Sequence, residues 1–67
     1  MKANGAAIKA LREARGHSLR HLAYLSEMHP SHLSRIEGGK RDASADVLGR
    51  IGAALDVPRD AITREQT

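Results

Sequence analysis

Residues 18–41 read SLRHLAYLSEMHPSHLSRIEGGKR, two short amphipathic blocks joined by a few residues. In the first block Leu19, Leu22, Ala23 and Ser26 recur at i, i+3, i+4 and i+7, the spacing of one helical face. Ser18 is placed to cap that helix, which the pattern ends near Ser26. In the second, His29-Pro30-Ser31 reads as a helix start, because Pro30 at the first helical position forgoes an N–H that has no partner there. Leu33 and Ile36 supply its buried stripe, and Gly38-Gly39 stops it. At about 100° per residue the outward side of this helix follows from those two apolar positions. Ser31 and Arg35 lie nearest its centre, Ser34 flanks them, and His32 falls toward the edge. Small hydroxyls allow close approach to another surface, and an arginine forks onto guanine O6 and N7 or onto a phosphate.

The flanking sequence reads in the same way. A helix is predicted from about Gly5 to Arg15, with Ala7, Ile8 and Leu11 on one face and Gly16 as its stop. Lys40 to Ala43 form a loop. Ser44 caps a fourth helix that turns Val47, Leu48, Ile51 and Leu55 inward, with Asp46 in its first turn complementing the helix dipole. After Val57-Pro58 a short turn around Asp60–Ile62 docks, and Thr63–Thr67 form a polar tail that frays. Helices of eight to eleven residues do not persist alone in water. They must pack through Ile8, Leu11, Leu22, Leu25, Met28, Leu33, Ile36, Val47, Ile51, Leu55 and Val57. The expectation is an all-α bundle of four to five short helices in one domain, residues 1–62. Tyr24 is left open between packing on a neighbouring helix and stacking on a phosphate or sugar.

Composition narrows the function. In 67 residues there are 11 Lys+Arg against 8 Asp+Glu, a formal charge of +3, and no Cys, Trp or Phe. A chain this short buries only about 60% of its unfolded surface, too little to wall off a deep catalytic cleft. Without cysteine there is neither a disulfide frame nor a thiolate zinc site. No apolar run approaches the length of a membrane span, and no export signal is read at the N-terminus, so a cytoplasmic protein is expected. The charge is uneven. Residues 1–41 hold eight Lys+Arg and three acids, a balance of +5, whereas residues 42–67 hold three Arg and five acids, a balance of −2. A basic front and an acidic rear point one face toward a polyanion.

Glu37 sits beside the buried stripe of its helix, where an unpaired carboxylate is expensive, and Arg12 on the first helix is the candidate partner for a structural ion pair. Taken together, Ser18–Leu25, Ser31–Arg41, Ile8–Arg12 and Ser44–Val57 resemble the phage-repressor and Cro-like helix-turn-helix family, often called Xre, over about residues 6–57. The resemblance implies that Leu19–Ser26 is the first helix of the motif and Pro30–Glu37 the recognition helix in the major groove. It places base contacts at Pro30, Ser31, Ser34 and Arg35, with His32 added from the edge of the same face. It places phosphate contacts at Ser18, Leu19, Arg20, Lys40 and Arg41, with His29 as a further phosphate neighbour, and it pairs Arg12 with Glu37. The sequence departs from the family at four positions. Glu27 stands where the turn has a left-handed Gly, Leu19 where many members have a phosphate-binding Gln, Pro30 where a polar base reader is common, and Ala43 where Pro is frequent.

Other chemistries fit poorly. His17, His21, His29 and His32 lack the cysteine or well-placed carboxylate that would complete a metal site, so no metal is expected. Gly38-Gly39-Lys40 fails the P-loop spacing, which needs Gly at 34 and Ser or Thr at 41. No nucleophile elbow is present, so the chain is not expected to be an enzyme and no cofactor is assigned. The reading is a sequence-specific double-stranded DNA-binding transcriptional regulator. It is a homodimer on DNA, because one recognition helix reads only a few base pairs; the apolar patch available for dimer contact is Val57–Ile62. The alternatives are a protein-interaction module of antitoxin or adaptor type retaining the fold, and a DNA-architectural or excision factor.

Overall fold

Each α-helix starts on a side chain that accepts a backbone N–H otherwise left without a partner. In the computed structural model, which describes residues 2–64, α1 spans Gly5–Ala14, α2 Leu19–Leu25, α3 Pro30–Glu37 and α4 Ala45–Leu55, followed by a 3-10 helix at Arg59–Ile62. Asn4 caps α1 through the Ala7 N–H at 3.1 Å, and Ser18 caps α2 through the His21 N–H at 3.0 Å. Ser44 caps α4 through the Val47 N–H at 3.2 Å. The cap of α3 is less usual, since His29 Nδ1 accepts the Ser31 N–H at 3.1 Å.

The helices bury one shared core. Ile8, Leu22, Leu33, Ile36, Leu48, Ile51, Leu55 and Ile62 are wholly buried, and Leu11, Met28, Val47 and Val57 pack half-buried around them. Two expectations are corrected. Leu25, expected in the core, is 41% exposed; Tyr24, left open between packing and stacking, is 79% exposed and does not pack into the core. The buried face of α2 centres between Leu22 and Ala23, and at about 100° per residue Tyr24 lies roughly 150° and Leu25 roughly 110° from that centre. The Val57–Ile62 patch is smaller than expected, because Ile62 is wholly buried and Val57 half-buried, which leaves Pro58 and Ala61 as its exposed apolar residues. Ser26, at the i+7 position of α2, is buried with its hydroxyl unpaired, a place where only small size is used.

The chain ends meet. Ala3 and Thr63 form an antiparallel bridge, with Asn4 N–H donating to Ile62 O at 2.8 Å and Arg64 N–H to Lys2 O at 2.7 Å. Thr63 and Arg64 are therefore tied down where a frayed tail was expected, and residues 65–67 of that tail lie outside the described residues.

Two constraints aim α3. At Gly5 the backbone of α1 presses against the Ile36 and Glu37 carbonyls so closely that no Cβ fits. On the same face of α1, Arg12 forks onto Glu37, Nε to Oε2 at 2.8 Å and Nη2 to Oε1 at 3.1 Å, while Nη1 donates to His17 O at 3.0 Å. Both side chains are nearly out of water, at 12% and 6% exposure. The Glu37 hydrogen bonds raise the Arg12 guanidinium further above its ordinary value. The second constraint is the turn between α2 and α3, where Glu27 takes the left-handed φ of 57°. A side chain there costs about 1–2 kcal/mol relative to glycine. Arg50 of α4 steadies the turn by donating to Glu27 O at 3.3 Å, and its other terminal nitrogen reaches Asp46 at 3.4 Å.

Arg12→Ala strands a buried carboxylate and is expected to cost about 3–5 kcal/mol in urea unfolding, whereas Arg12→Met with Glu37→Leu costs far less. Equal losses in the single and double variants would contradict this. Glu27→Gly is expected to raise the unfolding midpoint, by about 1 kcal/mol in stability. A lowered midpoint would show that the turn is unstrained.

Candidate nucleic-acid interface

Leu33 and Ile36 fix which way α3 faces, and the opposite side is entirely polar. Ser31, Ser34 and Arg35 are exposed on it, Pro30 and His32 are half-buried toward its edges, and Leu33 and Ile36 are wholly inside. Arg35 therefore projects from a helix whose rotation is locked by the core. Around this face lie Ser18 and Arg20 at the start of α2, His29 before α3, and Lys40 and Arg41 after it, all exposed. None of the four cations Arg20, Arg35, Lys40 and Arg41 joins an ion pair among the described residues, whose two pairs use Arg12 and Arg50.

Local bonding sets what several of these groups can still offer. The Ser18 hydroxyl accepts from His21 N–H, which leaves its own hydrogen free to donate outward. His29 Nδ1 accepts the Ser31 N–H, which leaves Nε2 as the ring nitrogen without a partner in that cap. The Ser31 hydroxyl lies 2.8 Å from the same Nδ1. His17 and His21, although on either side of the Ser18 cap, bring their rings to 5.0 Å. Among the described residues no group of three or more His, Cys, Asp or Glu is arranged to hold a metal ion.

The loop after α3 is built as closely as the helix. Gly39 takes φ 74° and lets the chain reverse, with Gly39 N–H bonded to Ile36 O at 3.1 Å and Lys40 N–H to Arg35 O at 2.9 Å. Beyond Arg41, Asp42 Oδ1 accepts both Ala3 N–H at 2.7 Å and Ala43 N–H at 3.0 Å. The Ala3 N–H is the main reason that the Asp42 carboxyl is held below its ordinary value, with Ala43 N–H and the Lys2 charge adding to it. Asp42 thus pins the loop bearing Lys40 and Arg41 to the N-terminal segment.

Two helices joined by a tight left-handed turn, the second presenting a polar face and a basic loop, also match a known family model. The model described as a helix-turn-helix domain matches residues 5–64. The chain belongs to the helix-turn-helix domain family. Among solved structures, this helix-turn-helix chain is similar to the clp gene regulator ClgR from Corynebacterium glutamicum. That match has a TM-score of 0.84 and 34% identity, and covers 90% of this chain and 65% of that one. It is similar also to the restriction-modification controller protein C.AhdI from Aeromonas hydrophila, with TM-score 0.83, 32% identity, and 85% and 86% of the two chains covered. A third is the biofilm master regulator SinR in complex with DNA, with TM-score 0.80, 35% identity, and 84% and 90% covered. This chain spans just under two thirds of the ClgR chain. No curated protein matches it in sequence.

Sequence reading placed the outward residues of α3 but missed the Asp42 clamp and the cap made by His29. An Asp after a basic pair carries no sign that its partner is Ala3, 39 residues away. His is outside the usual capping set. Because Asp42 has a depressed value in the fold, its stabilising contribution is complete above the ordinary 3.8 and is lost as pH falls through the folded value. Asp42→Asn is therefore expected to be less acid-sensitive than the parent in stability measured from pH 5 to pH 2. An unchanged acid limb would remove Asp42 from that role.

Proposed function

We propose that this helix-turn-helix protein is a sequence-specific regulator of transcription that binds double-stranded DNA with α3 in the major groove. The observation that carries the reading is the polar outward face of α3, with Arg35 unpaired near its centre and free cations on either side. Arg35 and the serines at 31 and 34 read base edges. Arg35 forks onto a guanine. Pro30 and His32 line the same groove, Pro30 through van der Waals contact alone. Ser18, Arg20, His29, Lys40 and Arg41 hold the phosphates on either side, which supplies affinity and register without sequence information.

One α3 spans only a few base pairs, so useful specificity requires two half-sites and a homodimer on DNA. SinR was solved on DNA, which supports the same use of the fold here. No helix among the described residues is long and apolar enough to cross a membrane, in keeping with action in the cytoplasm. Binding rather than catalysis is the proposed activity, and it needs no cofactor or metal. Tyr24 and Leu25 are the observation that favours the protein-interaction alternative, being exposed apolar neighbours. They lie on α2, however, and the face of α3 that would have to be apolar for that reading is polar throughout.

Arg35→Ala is expected to weaken binding to the preferred duplex by about 1–3 kcal/mol and to relax preference at one base pair. Lys40→Ala should weaken preferred and random duplexes alike and make the salt dependence shallower. Anisotropy titrations on both duplexes check this pair, and an equal loss on both for Arg35→Ala would remove it from base reading.

A further inference from the structure

We propose that a concave basin beside the C-terminal end of α3 takes a further backbone phosphate of the bound duplex, with Lys2 and Arg64 joining Arg41, whose phosphate contact is assigned above. The proposal rests on the DNA-binding reading and adds Lys2 and Arg64 to the interface, residues that sequence motifs did not single out.

The basin has a volume of about 290 Å³, with Lys2, Arg41 and Arg64 around it and the backbone of Gly38 and Gly39 among its walls. Three cations from distant parts of the chain meet there because one backbone bond and one bond to the Asp42 side chain draw their segments together. Arg64 N–H is bonded to Lys2 O at 2.7 Å, and Ala3 N–H to Asp42 Oδ1 at 2.7 Å, which draws residues 2, 41 and 64 together. Their mutual repulsion is only partly answered. Of the two acids lining the basin, Glu37 is spent on Arg12, and Asp42 accepts two backbone N–H groups. None of the three cations forms an ion pair among the described residues.

The C-terminal carbonyls of α3 account for part of this positive charge, since a helix end carries about half a negative charge. Adding the full charge of Asp42 still leaves more than one positive charge unanswered among the described residues. The volume exceeds the roughly 30 Å³ share of one water several-fold, enough for a phosphate group. Two guanidinium forks and an ammonium suit tetrahedral phosphate oxygens better than a single carboxylate. The basin is contiguous with the Lys40–Arg41 loop, so a strand whose phosphate lies on that loop brings its neighbour to the basin. This makes the duplex backbone, rather than a free anion, the source of the phosphate.

The test uses the full chain and its Lys2→Gln/Arg64→Gln double variant. Lys2 and Arg64 contribute backbone atoms to the pairing of the chain ends, so the fold is retained, which circular dichroism checks. Binding to a random-sequence duplex is titrated at several salt concentrations. The expected result is a salt slope shallower by about 0.9, the value of one lost phosphate. Arg15→Gln, at the far end of α1, should leave the slope unchanged. An unchanged slope in the double variant overturns the proposal; if Arg35→Ala still relaxes base preference, the DNA-binding reading survives. Absence of duplex binding by the parent chain overturns both. In a second arm, inorganic phosphate is titrated while the amides of Gly38, Gly39 and Asp42 are followed by NMR. Saturable shifts with an unchanged duplex slope would assign the basin to a free anion and overturn its assignment to DNA.

Discussion

The fork between Arg12 and Glu37 is the contact on which the presented surface depends. Glu37 closes α3, Arg12 lies two turns into α1, and the pair is almost completely removed from water. A buried ion pair contributes little net stability against an apolar alternative, and breaking it costs several kcal/mol. Its value here is geometric. The same guanidinium also holds His17 O, so one side chain joins α1, the approach to α2 and the end of α3. With Gly5 allowing the α1 backbone to touch the last carbonyls of α3, the recognition face has one rotation and one position.

A small domain without disulfides has little stability to spend, and this one spends some of it at the turn. Glu27 adopts the left-handed conformation although it carries a side chain, and Arg50 from α4 reaches across to its carbonyl. The turn sets the angle between α2 and α3, and through it the relation between the exposed start of α2 and the outward side of α3. The loop after α3 is treated alike, with Gly39 reversing the chain and Asp42 fastening it to Ala3. Polar contacts from distant segments thus hold the basic residues in register around a helix that the apolar core has already oriented.

Much of this was legible in the sequence because it is periodic or local. Leu33 and Ile36 define the inward side of α3 and hence the outward side, and Ser18 and Ser44 sit where capping chemistry requires them. Leu25 was misjudged because apolar character alone does not state the phase of a seven-residue helix. Leu22 and Ala23 set that phase, and Leu25 and Tyr24 fall outside it. The turn around Asp60–Ile62 docks as expected, but that Ile62 enters the core rather than a patch for dimer contact is decided by the tertiary fold, not by local sequence. The Asp42 clamp, the pairing of residues 2–4 with 62–64 and the Arg50 contact are all long-range, and single polar residues carry no periodic signal of a distant partner. Family resemblance supplied the proposed positions of DNA contact; the structure adds which of those side chains are exposed and outside ion pairs among the described residues.

The central claim is that α3, held in this orientation, reads a DNA sequence. Selection of bound fragments from a random double-stranded library tests it most directly. The expected result is enrichment of a short motif containing a guanine, repeated as an inverted pair with half-sites about 10 base pairs apart. Bound fragments with the same base composition as the starting library would contradict it.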